Sequence, residues 1–162
     1  MSMTQTVKIR CRNTNTVLDV PAGSTLEYIY KVSGLQIKFG PVSAKVNNKV
    51  EGLHYRVYHD KDVEYLDLYT SSGSRTYTRT LFFVLCKAVD DLYPDSSVVI
   101  DIPVSNGYYC DLRIGRPVTD DDVANLRRRM QEIVDAKMPI RRHECTSEEA
   151  IKMFKERGST SK

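Results

Sequence analysis

The chain has 162 residues, 41% of them hydrophobic and 28% charged, which is material for one ordinary domain or two small ones and too apolar for a disordered chain. Its 24 Lys and Arg against 21 Asp and Glu leave a net charge of +3, too little for a dedicated nucleic-acid binder, so any basic footprint has to be local. No apolar run approaches the ~20 residues of a membrane-crossing helix and no charged-then-apolar leader opens the chain, so a cytoplasmic protein without membrane contact is expected.

From Thr6, Val7, Ile9 and Cys11 alternate with Lys8, Arg10 and Arg12, the pattern of a strand with one apolar face. Asn13-Thr14-Asn15-Thr16 reads as a turn and Val17 to Val20 as the returning strand. Ser24-Thr25-Leu26-Glu27 has the form of a capping box opening a helix, with Gly34 placed to end it as a left-handed cap. Short strands follow around 44–46, turning at Asn47-Asn48, and around 63–68. Strand, strand, helix, strand, strand within residues 1–69 predicts a β-grasp (ubiquitin-like) domain. Residues 70–74, Thr-Ser-Ser-Gly-Ser, have the small polar composition of a flexible linker.

A second domain is expected over 75–162. Leu81, Leu85, Ala88 and Leu92 share one face of a helix that Pro94 stops, and its nearly all-round hydrophobicity predicts a buried central helix. Residues 98–102 and 108–114 are strand-like around the turn Ser105-Asn106-Gly107. Thr119-Asp120-Asp121-Asp122 caps a helix with the stripe Val123, Leu126, Met130, Ile133 and Val134. Thr146 to Glu149 is a further capping box, opening a helix through Ile151, Met153 and Phe154 that Gly158 closes. The fold class is α+β, with helices over an antiparallel sheet.

Chemistry-bearing residues are sparse. His54, His59 and His143 are scattered, so no metal site is predicted, and there is neither a phosphate-cradling Gly-x-x-x-x-Gly-Lys-Ser/Thr loop nor a Gly-x-Ser-x-Gly elbow. Cys11, Cys86, Cys110 and Cys145 stand at long irregular spacings and read as buried free thiols in a reducing compartment. The densest charge runs from Arg127 to Arg142, with six basic residues against Glu132 and Asp135. Three consecutive arginines fan over roughly 200° of a helix, the arrangement of a solvated face; phosphate or RNA contact through Arg127, Arg128, Arg141 and Arg142 is the alternative. Tyr108 and Tyr109 read as strand and core residues rather than a base-stacking platform.

One resemblance draws these elements together. Lys87-Ala88-Val89-Asp90-Asp91-Leu92-Tyr93-Pro94, then Asn106-Gly107-Tyr108-Tyr109-Cys110-Asp111, then Thr119-Asp120-Asp121-Asp122 with Met130, and Glu148-Glu149-Ala150 with Phe154 and Gly158, resemble the second additional domain of threonyl-tRNA synthetases in order and spacing. The first domain is similar to the TGS unit that precedes it there. The resemblance implies an editing cleft whose helix carries a His-x-x-x-His pair; those positions fall here on Arg79 and Phe83. Arg stays protonated and Phe has no polar atom, so neither replaces an imidazole, and no catalytic residue is expected. Tyr109 and Asp111 are expected opposite them, with Cys110 in place of a family tyrosine.

The combination also resembles the front of bacterial nucleoside (uridine) kinases, where such a pair precedes a P-loop domain. That resemblance implies a non-catalytic binding or regulatory part of a larger enzyme. Its partners would be the following domain and a nucleotide, an amino acid or an RNA end; the part itself needs no cofactor, since ATP and magnesium serve only the kinase domain. The alternatives are the editing region of a threonyl-tRNA synthetase and a stand-alone RNA-binding module.

Overall fold

The computed structural model describes residues 5–105, 107–141 and 143–156. The expected positions Asn106, Arg142 and Gly158 lie outside them. Contacts divide the chain into two units, one up to Thr80 and one from Leu81.

The first unit is built on β1 (Thr6–Cys11), where strict alternation turns Val7, Ile9 and Cys11 inward. It pairs antiparallel with β2 (Thr16–Pro21) and parallel with β7 (Lys61–Leu66). A parallel neighbour demands a crossover, and α1 (Leu26–Ser33) lies on that path. β4 (Ser43–Val46) joins the other side of β7, and β5 (Lys49–Glu51) completes the five-stranded order β2-β1-β7-β4-β5. The two-residue turn between β4 and β5 places Asn47 and Asn48 at φ 46° and 71°, the left-handed pair such hairpins require and asparagine tolerates. Asn47 also accepts from the Asp62 N–H at 3.0 Å, locking the turn to β7.

This is the β-grasp arrangement. Its core holds Ile9, Leu26, Ile29, Val57 and Val63 at zero exposure, each burial stabilising by about 1.5–3 kcal/mol before entropy is set against it. The Tyr65 hydroxyl donates to the Leu26 carbonyl at 2.7 Å, tying β7 to the start of α1, and burial pushes its ionisation well up. The helix cap lies one residue later than expected. Thr25, not Ser24, accepts from the Tyr28 N–H, because Ser24 and Thr25 form β3 (Ser24–Thr25), a ladder with β6 (Arg56–Val57) that the sequence pattern did not reveal. Glu27 accordingly bridges to Lys31 instead of reaching back to the cap. Gly34 ends the helix at φ 69° as predicted.

Residues 70–74 are not a flexible linker here. Thr70 caps α2 (Ser71–Leu92), accepting from the Gly73 N–H at 3.1 Å, and Ser71 to Ser74 form the first turn.

In the second unit, Val84, Ala88 and Val89 of α2 are buried with Leu126 and Ile133, while Leu85, Leu92, Tyr93, Val98, Leu112 and Met130 pack around them. The expected all-round burial of this helix is corrected: Leu81 and Phe83 are exposed, since a single small cluster covers only one side. The antiparallel hairpin is β8 (Ser97–Val104) with β9 (Gly107–Arg113), bulged between Ile100 and Pro103. α3 (Asp120–Asp135) carries the predicted capping box between Thr119 and Asp122. Its buried side is Asp122, Leu126 and Ile133, so Val123 and Val134, expected in the stripe, stand exposed one shoulder round the helix. α4 (Ser147–Glu156) also has its box, Thr146 with Glu149, yet Ile151, Met153 and Phe154 are all exposed. Among the described residues no helix is long and apolar enough to cross a membrane.

Candidate functional site

Helical periodicity puts Arg79 and Phe83 one turn apart on a stripe of α2 that continues to Lys87. Phe83 lies about 100° from Val84 and about 140° from Ala88 round the helix, so it turns away from the buried cluster, and it is 65% exposed. Lys87 is held by Asp91, one turn on. Asp91 in turn accepts from Arg129 of α3 at 2.9 and 3.0 Å, and Arg129 reaches Glu132 at 2.8 Å. Two cations hold the Asp91 carboxyl below its usual range, the Lys87 hydrogen bond contributing most.

The hairpin presents two different faces. Leu112 belongs to the buried cluster and Tyr108 packs its ring edge to face against Phe82, with centroids 4.9 Å apart. Tyr109 and Asp111, at alternate positions, therefore lie on the other face of β9. There Tyr109 is 59% exposed and Asp111 bridges to Arg113 at 2.8 Å. Phe83 and the pair Tyr109 and Asp111 thus belong to separate surfaces of this unit, and Tyr108 and Tyr109, read from the sequence as core, are both exposed.

Of the basic positions, Arg127 and Arg141 are exposed. Arg128 donates to Asn125 at 3.0 Å and lies 4.0 Å from Glu132. Arg129, the last of the three consecutive arginines, is a tie between helices rather than a ligand contact.

The most strongly perturbed group is one that spacing alone does not mark. Asp122, 4% exposed, accepts from Arg116 at 2.7 and 2.8 Å, from the Thr119 backbone and hydroxyl at 2.9 and 2.8 Å, and from the Tyr93 hydroxyl at 2.8 Å. The forked guanidinium first, then the Thr119 donors, hold its carboxyl far below the usual range. With every lone pair engaged, it is a clamp joining the end of α2, the loop after β9 and the start of α3. Its sequence signal was only the capping box; Arg116 had none.

Among the described residues no three His, Cys, Asp or Glu side chains come together in a set that could hold a metal ion. Cys11 alone is buried; Cys86, Cys110 and Cys145 are exposed, which corrects the reading of buried thiols.

A β-grasp unit followed by an α+β unit with a helix, a hairpin and two capped helices is consistent with the TGS and second-additional-domain arrangement expected from the sequence. Comparison with known proteins agrees. The chain is 29% identical over 146 residues to a threonine–tRNA ligase of Symbiobacterium thermophilum, a stretch that is 90% of this chain and 22% of the relative. It is 30% identical over 142 residues to that of Natranaerobius thermophilus, covering 88% and 22%. With the ligase of Hahella chejuensis the figures are 32% over 155 residues, 90% and 24%. The chain is therefore homologous to the N-terminal region of these ligases and spans a little under a quarter of their length. No family model matches it.

Proposed function

We propose that this chain is a threonyl-tRNA-synthetase-type N-terminal region that has given up editing hydrolysis and serves as a cytoplasmic binding module for an aminoacylated RNA end. The observation that carries this reading is the pair Arg79 and Phe83 on one exposed stripe of α2, where the resemblance implies two imidazoles. A guanidinium does not take up a proton near neutral pH and a phenyl ring orients no water, so the hydrolytic step loses its proton carriers. What persists suits binding: a cation and an exposed aromatic a turn apart, with Arg127, Arg128 and Arg141 as phosphate contacts elsewhere on the unit.

The test is deacylation of seryl-tRNA by the chain, beside binding of an acceptor-stem RNA across a salt series. Binding that weakens with salt and no hydrolysis is the expected result. Measurable hydrolysis, or its appearance only to be lost in Arg79→Ala, would overturn the loss of chemistry; absence of binding would overturn the module.

A second reading sets the same pair before a P-loop nucleoside kinase, where it would bias an ATP- and magnesium-dependent domain. The loss of both imidazoles favours it, since a synthetase has use for them; the relatives above, all ligases, favour the first. Sequencing the source gene beyond Lys162 separates the two. A Gly-x-x-x-x-Gly-Lys-Ser/Thr motif there means the kinase, and a class II aminoacylation core means the synthetase.

A further inference from the structure

One ring contact and one shared hydrophobic cluster relate helix α2 to strand β9. Phe82 meets Tyr108, and further along both elements Val89 shares the buried cluster with Leu112. Beyond that ring contact the helix presents Cys86, one turn past Phe82, and the strand presents Cys110, the next residue past Tyr108 on the same face. The helix advances about 6 Å from Phe82 to Cys86 and the strand about 6.8 Å from Tyr108 to Cys110, so the two thiols come to the same level. The Cys110 thiol donates to the Tyr108 carbonyl at 3.7 Å. Partial burial pushes the Cys86 thiol up, and Cys110 pushes it further. Both residues are open to solvent.

We propose that Cys86 and Cys110 form an oxidisable pair that closes to a disulfide and pins α2 to the β8–β9 hairpin. The oxidant is a small-molecule disulfide of the glutathione class. The Cys110 thiolate attacks one sulfur of that disulfide, forming a mixed disulfide and releasing one thiol. The Cys86 thiolate then attacks Cys110 Sγ, displacing the second thiol, so two protein thiols lose two hydrogens and the reagent gains them. Closure draws helix and strand at this level to the ~5.5–6 Å Cα separation a disulfide takes. The hairpin's attachment to α2 thereby becomes dependent on thiol redox state.

The experiment treats the full chain with oxidised glutathione, traps residual thiols by alkylation, and reads intact mass and tryptic peptides. The expected product lacks two hydrogens and links the peptide Thr80–Lys87 to Ala88–Arg113, while Cys145, exposed in the segment before α4, carries only a mixed disulfide. Cys86→Ser should abolish the cross-link and leave Cys110 as the mixed disulfide; Cys110→Ser should abolish it from the other side. The proposal fails if Cys86 and Cys110 are each glutathionylated without the cross-link, or if neither reacts while Cys145 does.

Discussion

Gly73→Ala separates helix propensity from packing, because the two predict opposite signs. In a free helix this change is favourable by roughly 1 kcal/mol. In the protein a Cβ at residue 73 would stand 1.8 Å from the Asp67 carbonyl oxygen and 2.8 Å from its carbon, about 1.6 Å short of ordinary contact at 3.4 Å. That carbonyl cannot swing aside freely. It accepts the Thr70 hydroxyl at 3.0 Å, while the Asp67 carboxylate accepts the Tyr69 and Thr70 N–H groups at 3.0 Å each. Relief of the clash therefore breaks the Thr70 cap, worth about 1 kcal/mol, and the two Asp67 bonds, about 1 kcal/mol each, leaving a net destabilisation of about 2 kcal/mol or more after the propensity gain. Urea unfolding followed by circular dichroism measures it, with Gly52→Ala, where nothing lies within 4 Å, as a control expected within about 0.5 kcal/mol of the parent. A Gly73→Ala chain as stable as the parent would refute the steric argument and restore the flexible linker.

Tyr65→Phe leaves the buried Leu26 carbonyl without its 2.7 Å donor and should cost about 1–2 kcal/mol in the same urea assay. Asp122 contributes stability while ionised: its folded carboxyl titrates below the unfolded value of 3.8, so the contribution is complete above that value and is lost as pH falls beneath it. Asp122→Asn should flatten that acid limb of the stability curve between about pH 4 and 2, and an unchanged limb would place the loss elsewhere. Arg129→Ala removes the tie between α3 and Asp91 and should lower the thermal midpoint more than Arg127→Ala does, since Arg127 is an exposed member of the same run. Equal effects would mean that the bridge to Asp91 adds nothing.

The first unit was legible because its signals are local and agree. Alternation in β1, the Asn47-Asn48 turn and Gly34 each report on backbone geometry within a few residues. β3 and β6 escaped because two-residue strands carry no period, and their pairing shifts the α1 cap from Ser24 to Thr25. Residues 70–74 misled for another reason. Small polar residues mark flexibility on average, but Gly73 is small because Asp67 occupies the space its side chain would take. In the second unit, α2 looked buried because its sequence is apolar on nearly every side, whereas burial depends on what is available to cover it. The clamp around Asp122 depends on Arg116 and Tyr93, which lie 6 and 29 residues away, and no spacing rule joins such distant partners.

The candidate site divides along the same line. Positions Arg79 and Phe83 came from family spacing, and the structure adds that they occupy the side of α2 turned away from Val84 and Ala88. A residue there can change from imidazole to guanidinium or phenyl without opening a cavity or stranding a buried polar group, the two events that make core substitutions costly. Fold and surface chemistry are therefore separable on this helix: one side maintains the packing against Leu126 and Ile133, and the other is free to alter what it touches. Installing a histidine pair as Arg79→His with Phe83→His should accordingly leave stability within about 0.5 kcal/mol of the parent, as for other exposed positions. A large loss of stability in that double variant would mean that the stripe is packed after all and that the substitutions were made for the fold.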